Sequence, residues 1–188
     1  MHDGSDGLIG ALWILWALYW LAAARGVKAV REREGRRSRL AFVITMLIVA
    51  ALLAHRWPGW LGLRIVPGGW VRYWSAVTLI AAGLGFSVWA RRVLGGNWSG
   101  TVTLKVGHEL IVRGPYRWVR HPIYSGLLLA LLGSALAPGE VRGFLAFLIA
   151  LMAIWGKSRL EESFMERQFG ERYIAYRRSS WALVPGLL

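Results

Sequence analysis

Five apolar segments, at about residues 8–24, 40–54, 73–90, 123–137 and 141–155, are separated by connections that hold nearly all of the charge. A helix that crosses a bilayer core needs about 20 apolar residues. The first three segments suit that length best. The last two are shorter and must borrow flanking residues, tilt, or form a helical hairpin that barely crosses. Pro138-Gly139-Glu140 between them is a turn short enough to force antiparallel neighbours. Beyond segment five the helical pattern runs on into Gly156-Lys-Ser-Arg-Leu-Glu-Glu-Ser-Phe-Met-Glu-Arg167, and Phe169-Gly170 marks its stop. A short amphipathic piece with Tyr173 and Tyr176 follows. The pattern predicts an all-α integral membrane protein of about five transmembrane helices. Residues 1–90 hold helices one to three, and residues 91–188 hold a cytoplasmic loop, the hairpin of helices four and five, and a cytoplasmic C-terminal helix.

Composition narrows this picture. A hydrophobic share of 56% and twelve Trp are unlike a soluble domain. The formal charge of +13 is dispersed between apolar runs rather than gathered on one soluble face, so it points to anionic lipid headgroups and not to nucleic acid. Nineteen of the 23 Lys and Arg fall in the first and third connections and the C-terminal tail; only Arg56, Arg64, Arg72 and Arg142 fall on the other side. By the positive-inside rule the N-terminus is outside and the C-terminus cytoplasmic, in an inner or plasma membrane. The first residues lack the positive stretch of a signal peptide, so segment one is expected to stay as an anchor. There is no Cys, and His2 and His55 are isolated, so no metal site is expected. Gly83-Leu84-Gly85, inside segment three, predicts close helix packing.

The third connection, residues 91–121, is long for so small a protein, and such loops are usually working parts. It opens with Leu94-Gly-Gly-Asn-Trp-Ser-Gly100, then Thr101-Val-Thr-Leu104 alternates as an extended piece, and Lys105-Val-Gly-His108 forms a turn. Residues 108–126 then gather two His, three Arg, a Glu, two Tyr and two Pro beside apolar segments. Ionisable groups next to hydrocarbon are costly, which makes this stretch the candidate site. Pro122 suits the first turn of helix four with His121 at or beside its N-cap, where free amides and the helix dipole favour an anion. Downstream, Lys157 and Glu161 share one helix face, while Glu162 and Glu166 share another. No Gly-x-Gly-x-x-Gly follows a strand, which argues against a Rossmann cofactor domain.

Gly114-Pro-Tyr116, Arg120-His-Pro-x-Tyr124-x-Gly126, and Glu161-Glu162 followed by Phe169-Gly170-x-x-Tyr173-x-x-Tyr176 form a specific set. Together they resemble the membrane family of isoprenylcysteine carboxyl methyltransferases and phosphatidylethanolamine N-methyltransferases. Leu94-Gly-x-Asn-Trp-Ser99 and Gly107-His-Glu-Leu110 are most similar to the isoprenylcysteine branch, especially its prokaryotic members. The resemblance covers about residues 91–185 and implies an S-adenosylmethionine-dependent enzyme with a lipophilic acceptor, either a prenylated cysteine or a phospholipid. It implies cofactor contacts at His108, Glu109, Leu110, Ile111, Tyr116, His121, Pro122, Ile123, Tyr124, Glu161 and Glu162, with Lys157 and Arg120 as candidate catalytic residues. Lys157 stands where the isoprenylcysteine branch usually has Arg, so a carboxylate-orienting fork is replaced by a point charge.

The residue types suit that chemistry. S-adenosylmethionine carries a sulfonium, an amino-carboxylate tail, ribose hydroxyls and adenine. Arg120 and His121 at a helix N-terminus suit the carboxylate, a Glu suits the ribose or ammonium, and aromatic faces suit adenine and the sulfonium. A carboxylate acceptor needs no general base; an amine acceptor needs one, for which Glu162 or His121 are the candidates. Three functions are therefore weighed: carboxyl O-methylation, N-methylation of a phospholipid headgroup, and a non-enzymatic membrane protein that binds lipid through the basic loop.

Overall fold

The computed structural model describes residues 3–23, 30–33, 35–97, 103–105 and 110–186. Among the described residues six α-helices carry the fold: α1 Asp3–Ala23, α2 Arg36–Ala54, α3 Trp70–Leu94, α4 Pro122–Leu136, α5 Val141–Phe169 and α6 Glu171–Arg178. The hairpin turn between α4 and α5 and the stop after Phe169 fall where the sequence places them. Both turns depend on glycine in the left-handed region, Gly139 at φ +65° and Gly170 at φ +52°. His108, Glu109 and part of the third connection lie outside the described residues.

Two features depart from the sequence reading. First, α2, α3 and α5 are long and apolar enough to cross a membrane, whereas the apolar part of α1, Gly7–Ala23, and α4 are shorter. Segment five gains its length because α5 continues unbroken for 29 residues, carrying its polar half out of the apolar window. Second, a short two-stranded ribbon accompanies the all-helical fold. β1, Val30–Arg33, pairs antiparallel with β2, Thr103–Lys105, joining the first and third connections. The extended piece expected at 101–104 is thus a strand at 103–105, and part of the basic run 25–39 is its partner.

Large apolar side chains cover the outside of the bundle. Leu15, Leu18 and Leu21 on α1, Leu47 on α2 and Met152 on α5 are exposed, Leu21 by 71%. A surface of that kind on three helices is met by lipid rather than water, and the chain is an integral membrane protein.

Inside, α4 is the central element. The α3–α4 contact is backbone on backbone: a Cβ at Gly83 would lie 2.6 Å from Ala130 N, one at Gly126 would lie 2.5 Å from Gly83 O, and one at Gly133 would lie 2.7 Å from Ala76 O. Small residues allow such approach where water provides no driving force between helices. The expected packing role of Gly83-Leu84-Gly85 falls on Gly83, since a Cβ at Gly85 meets nothing within 4 Å. Gly126→Val is expected to destabilise by about 1–3 kcal/mol through overpacking, whereas Gly85→Ala changes little. Thermal unfolding of the two variants in detergent checks the contrast.

On its flanks α4 is supported by α1 and α5. Trp13 Nε1 donates to Ser134 Oγ at 3.1 Å, and Trp16 Nε1 donates to Ser87 Oγ at 2.8 Å. Val49 and Leu52 of α2 pack on Ala146 and Ala150 of α5. At the end of the bundle where α5 begins, residues 56–69 dock on the α4–α5 turn. Ile65 N donates to Gly139 O at 2.8 Å, and Val141 N donates to Leu63 O at 3.0 Å.

Candidate active site

The site forms where α4 starts. Pro122 occupies the first helical turn and His121 is the N-cap residue, as the sequence implies. The segment that follows α6 runs alongside and clamps this start. Arg120 N donates to Trp181 O at 2.8 Å, His121 N to Ala182 O at 3.1 Å, and Ser125 Oγ to Leu183 O at 2.5 Å. Leu183 is fully buried among Leu128 and Ile154. Tyr176 adds a hydrogen bond from its hydroxyl to Tyr116 O at 2.5 Å.

Helix α5 presents two adjacent carboxylates to this clamp in different directions, because neighbours on a helix are about 100° apart. Glu161 faces a cavity with Lys157, one turn earlier. Its Oε1 accepts from Tyr124 OH at 2.5 Å, and its Oε2 lies 3.4 Å from His121 Nδ1. Glu162 points behind the site and is 2% exposed. Its Oε1 accepts from Arg120 Nε at 2.7 Å and its Oε2 from Arg159 Nη1 at 3.0 Å. Arg120 further donates through Nη1 to Ser180 O and to Arg177 O.

His121 lies between the two carboxylates. Burial alone would lower its pKa, but the adjacent carboxylates Glu161 and Glu162 outweigh that and raise it above the ordinary 6.5. Its stabilising contribution is therefore complete below 6.5 and is lost as pH rises through the higher folded-state value. The gap in thermal stability between wild type and His121→Gln should be widest at acid pH and narrow on the alkaline side; a gap independent of pH would mean a neutral His121. The Nε2 atom is buried and has no hydrogen-bond partner among the described residues, since Glu162 Oε1 at 3.5 Å lies outside hydrogen-bonding geometry.

Three tyrosines complete the polar wall. Burial raises the pKa of Tyr116 and Tyr173, and pushes Tyr176 up to about 12. All three are neutral hydrogen-bonding groups at physiological pH.

From this wall a cavity of about 1870 Å³ extends between the helices. Leu110, Ile111, Tyr116, Arg120, His121, Ile123, Tyr124, Lys157 and Glu161 all line it. Pro122 and Glu162 do not; Pro122 is fully buried in the packing of α4. Lys157 is buried, with Nζ 4.5 Å from the Phe42 ring centre. The lining also includes Tyr173, Tyr176, Met165 and Phe42, and Trp13, Trp16 and Trp20 of α1, none of which was assigned from sequence. The Phe169-Gly170-x-x-Tyr173-x-x-Tyr176 spacing was the available signal for the two tyrosines. No cluster of metal-ligating side chains is present among the described residues.

The family model described as phospholipid methyltransferase matches residues 71–172, a span that takes in His121, Tyr124, Lys157 and Glu161. The uncharacterized protein YpbQ of Bacillus subtilis (strain 168) is 30% identical over 106 residues, 50% of this chain and 54% of that protein. Protein-S-isoprenylcysteine O-methyltransferase A of Arabidopsis thaliana is 25% identical over 149 residues, 79% of this chain and 70% of the relative. Among solved structures, the eukaryotic intramembrane Ras methyltransferase ICMT (isoprenylcysteine carboxyl methyltransferase) shares the fold. It matches with a TM-score of 0.58 and 22% identity, over 80% of this chain and 50% of that one. The chain thus spans about half the length of the Bacillus protein and of the ICMT chain.

Proposed function

The chain belongs to the phospholipid methyltransferase family, and on that footing we propose that it transfers a methyl group from S-adenosylmethionine to the carboxylate of a lipophilic acceptor, most like a prenylated cysteine. The observation that carries this reading is Glu161, held by Tyr124 and His121 at the wall of a large, mainly apolar cavity. In this reading residues 91–188 hold the cofactor at the cytoplasmic face, and residues 1–90 wall the acceptor's path from the bilayer.

The side chains fit the cofactor's parts. Glu161 is 26% exposed at its side chain and takes hydrogen bonds from an ammonium or from ribose hydroxyls. His121 steadies Glu161 from the cavity wall, its Nδ1 3.4 Å from Glu161 Oε2. Tyr116, Tyr124, Leu110 and Ile111 offer flat and apolar surface to a purine. When bound, S-adenosylmethionine supplies an electrophilic methyl on a sulfonium that leaves as a neutral thioether. Arg120 and Glu162 are positioning residues in this scheme, because both spend their hydrogen bonds on the protein itself. Lys157, on the same face as Glu161, orients the acceptor carboxylate, and the apolar walls exclude water and align the reacting groups.

The electrostatics favour a carboxylate over an amine. An amine must lose a proton, which requires a base. His121 is biased toward its protonated form by two carboxylates, Glu162 is paired with two arginines behind the site, Glu161 is committed to the cofactor in this reading, and the tyrosines are neutral. The test is methyl transfer from labelled S-adenosylmethionine by purified protein to farnesylated cysteine and, in parallel, to membrane phospholipids. Base-labile label on the prenylcysteine is the expected result. Base-stable label in a headgroup would replace this reading with N-methylation, and absence of cofactor binding would remove the enzyme.

A further inference from the structure

The cavity has a second polar end. Arg142 and Glu161 both line it and sit 19 residues apart on α5, about 29 Å at 1.5 Å per residue, close to the thickness of a bilayer core. At the Arg142 end the sequence has very little acidic charge: residues 55–72 contain no Asp or Glu, and the α4–α5 turn contributes Glu140. Yet Arg56, Arg64, Arg72 and Arg142, the four basic residues that the charge pattern sets apart from the other nineteen, all line this one cavity.

Their charges are not equally available. Arg142 is buried and committed, donating to Glu140 Oε2 at 2.6 Å and to the carbonyls of Leu52 and Leu53 at 2.7 and 2.8 Å. That pair is neutral and fixes the end of α2 to the start of α5. Arg72 donates through Nη1 to Val66 O at 3.0 Å, while its Nε is buried without a hydrogen-bond partner among the described residues. Gly139 leaves room for this guanidinium, since a Cβ there would lie 2.6 Å from Arg72 Nη1. Arg64 converges on the same place: a Cβ on Gly68 would lie 3.6 Å from Arg64 Nη1 and 3.9 Å from Arg72 Nη2. The docked loop 56–69 and the first turn of α3 thus hold two like charges, Arg64 and Arg72, close together over the mouth of an apolar cavity.

Two guanidinium groups brought together, with the neighbouring Glu140 carboxylate already taken by Arg142, are a site for a phosphate oxyanion. The apolar walls behind them call for a chain. At about 1870 Å³ the cavity exceeds the ~300–1,000 Å³ of ordinary small-molecule sites, leaving room for a second occupant beside the one at Glu161. We propose that this far mouth binds the phosphate of an anionic phospholipid through Arg64 and Arg72, with an acyl chain entering the cavity from the end opposite the candidate active site.

The test is retention of dioleoyl phosphatidylglycerol by the full chain in neutral detergent, read by native mass spectrometry. Dioleoylglycerol and inorganic phosphate serve as comparison probes. The wild type and Arg36→Gln/Arg37→Gln, which loses the same charge at the start of α2, should retain phosphatidylglycerol equally. Arg64→Gln/Arg72→Gln should bind it about tenfold more weakly. Arg64→Gln alone removes an exposed side chain and leaves the backbone bridge from Arg64 to Glu140 in place, so it carries the test with about a threefold loss if the double variant fails to fold. Equal retention by Arg64→Gln and wild type would overturn the proposal. So would equal binding of dioleoylglycerol, which would mean a site for chains alone. Displacement of the lipid by inorganic phosphate would mean a free-anion site instead.

Discussion

Glu161→Ala is expected to lower affinity for S-adenosylmethionine by two orders of magnitude or more while leaving the helices intact. The carboxylate stands at the cavity wall with both oxygens oriented, Oε1 by Tyr124 OH at 2.5 Å and Oε2 near His121 Nδ1 at 3.4 Å. Each hydrogen bond to a charged group contributes about 1.5–3 kcal/mol. Loss of two such contacts to a ligand gives about 3–6 kcal/mol, and each 1.4 kcal/mol is about tenfold in Kd. The fold is expected to survive because the neighbours that Glu161 leaves behind are not stranded. His121 retains Glu162 at 3.5 Å, and Tyr124 hydroxyl gains access to the cavity. Tyr124→Phe removes only the orienting bond, so its cost is about 1 kcal/mol, near fivefold. Calorimetric titration of the cofactor into both variants, with helicity followed by circular dichroism, checks the pair. Undiminished binding by Glu161→Ala would take Glu161 out of the cofactor site.

The difference between these neighbouring carboxylates shows what local pattern reveals. Helix periodicity put Lys157 with Glu161 on one face and Glu162 with Glu166 on another, and that separation holds: Lys157 and Glu161 line the cavity, while Glu166 pairs with Arg177. Periodicity did not say which face was the site, and the resemblance implied cofactor contacts at both Glu161 and Glu162. Only long-range contacts show that Glu161 lines the cavity and Glu162 lies behind it. Arg120 lies 42 residues from Glu162 and 60 from Ser180, and no spacing rule links positions so far apart.

The same limit applies elsewhere in the fold. Helix stops at Gly139 and Gly170 were legible because positive φ is a local demand that glycine meets. The Arg-His-Pro start of α4 was legible because proline fits a first turn. The segment 180–183 carries no periodic signal, yet it supplies the carbonyls that receive Arg120 N, His121 N and Ser125 Oγ. The β1–β2 ribbon is equally non-local, pairing Val30 with Lys105. Nor did the tryptophans of α1 announce a cavity wall. Trp13 and Trp16 turn inward from the middle of α1 to hydroxyls on α4 and α3.

Glu162→Ala should produce the opposite phenotype to Glu161→Ala, a loss of stability larger than its effect on ligand affinity in the protein that remains folded. Glu162 is 2% exposed and closes the charge of Arg120, whose side chain is 8% exposed. Truncating it leaves a buried guanidinium with no counter-ion on that side. Breaking a buried pair in this way costs about 3–5 kcal/mol, which for a chain of this size lowers Tm by on the order of 10 °C. Arg159 does not share the penalty, being half exposed and free to rehydrate. The cost belongs to the stranded charge rather than to the lost attraction, so removing both partners should be milder. Arg120→Leu/Glu162→Leu is expected to recover part of the stability, although it forfeits the Arg120 bond to Ser180 O and loosens the C-terminal clamp. The cycle of thermal midpoints over wild type, Arg120→Leu, Glu162→Leu and the double variant isolates that coupling. A Glu162→Ala protein with wild-type stability and no cofactor binding would exchange the roles of the two carboxylates.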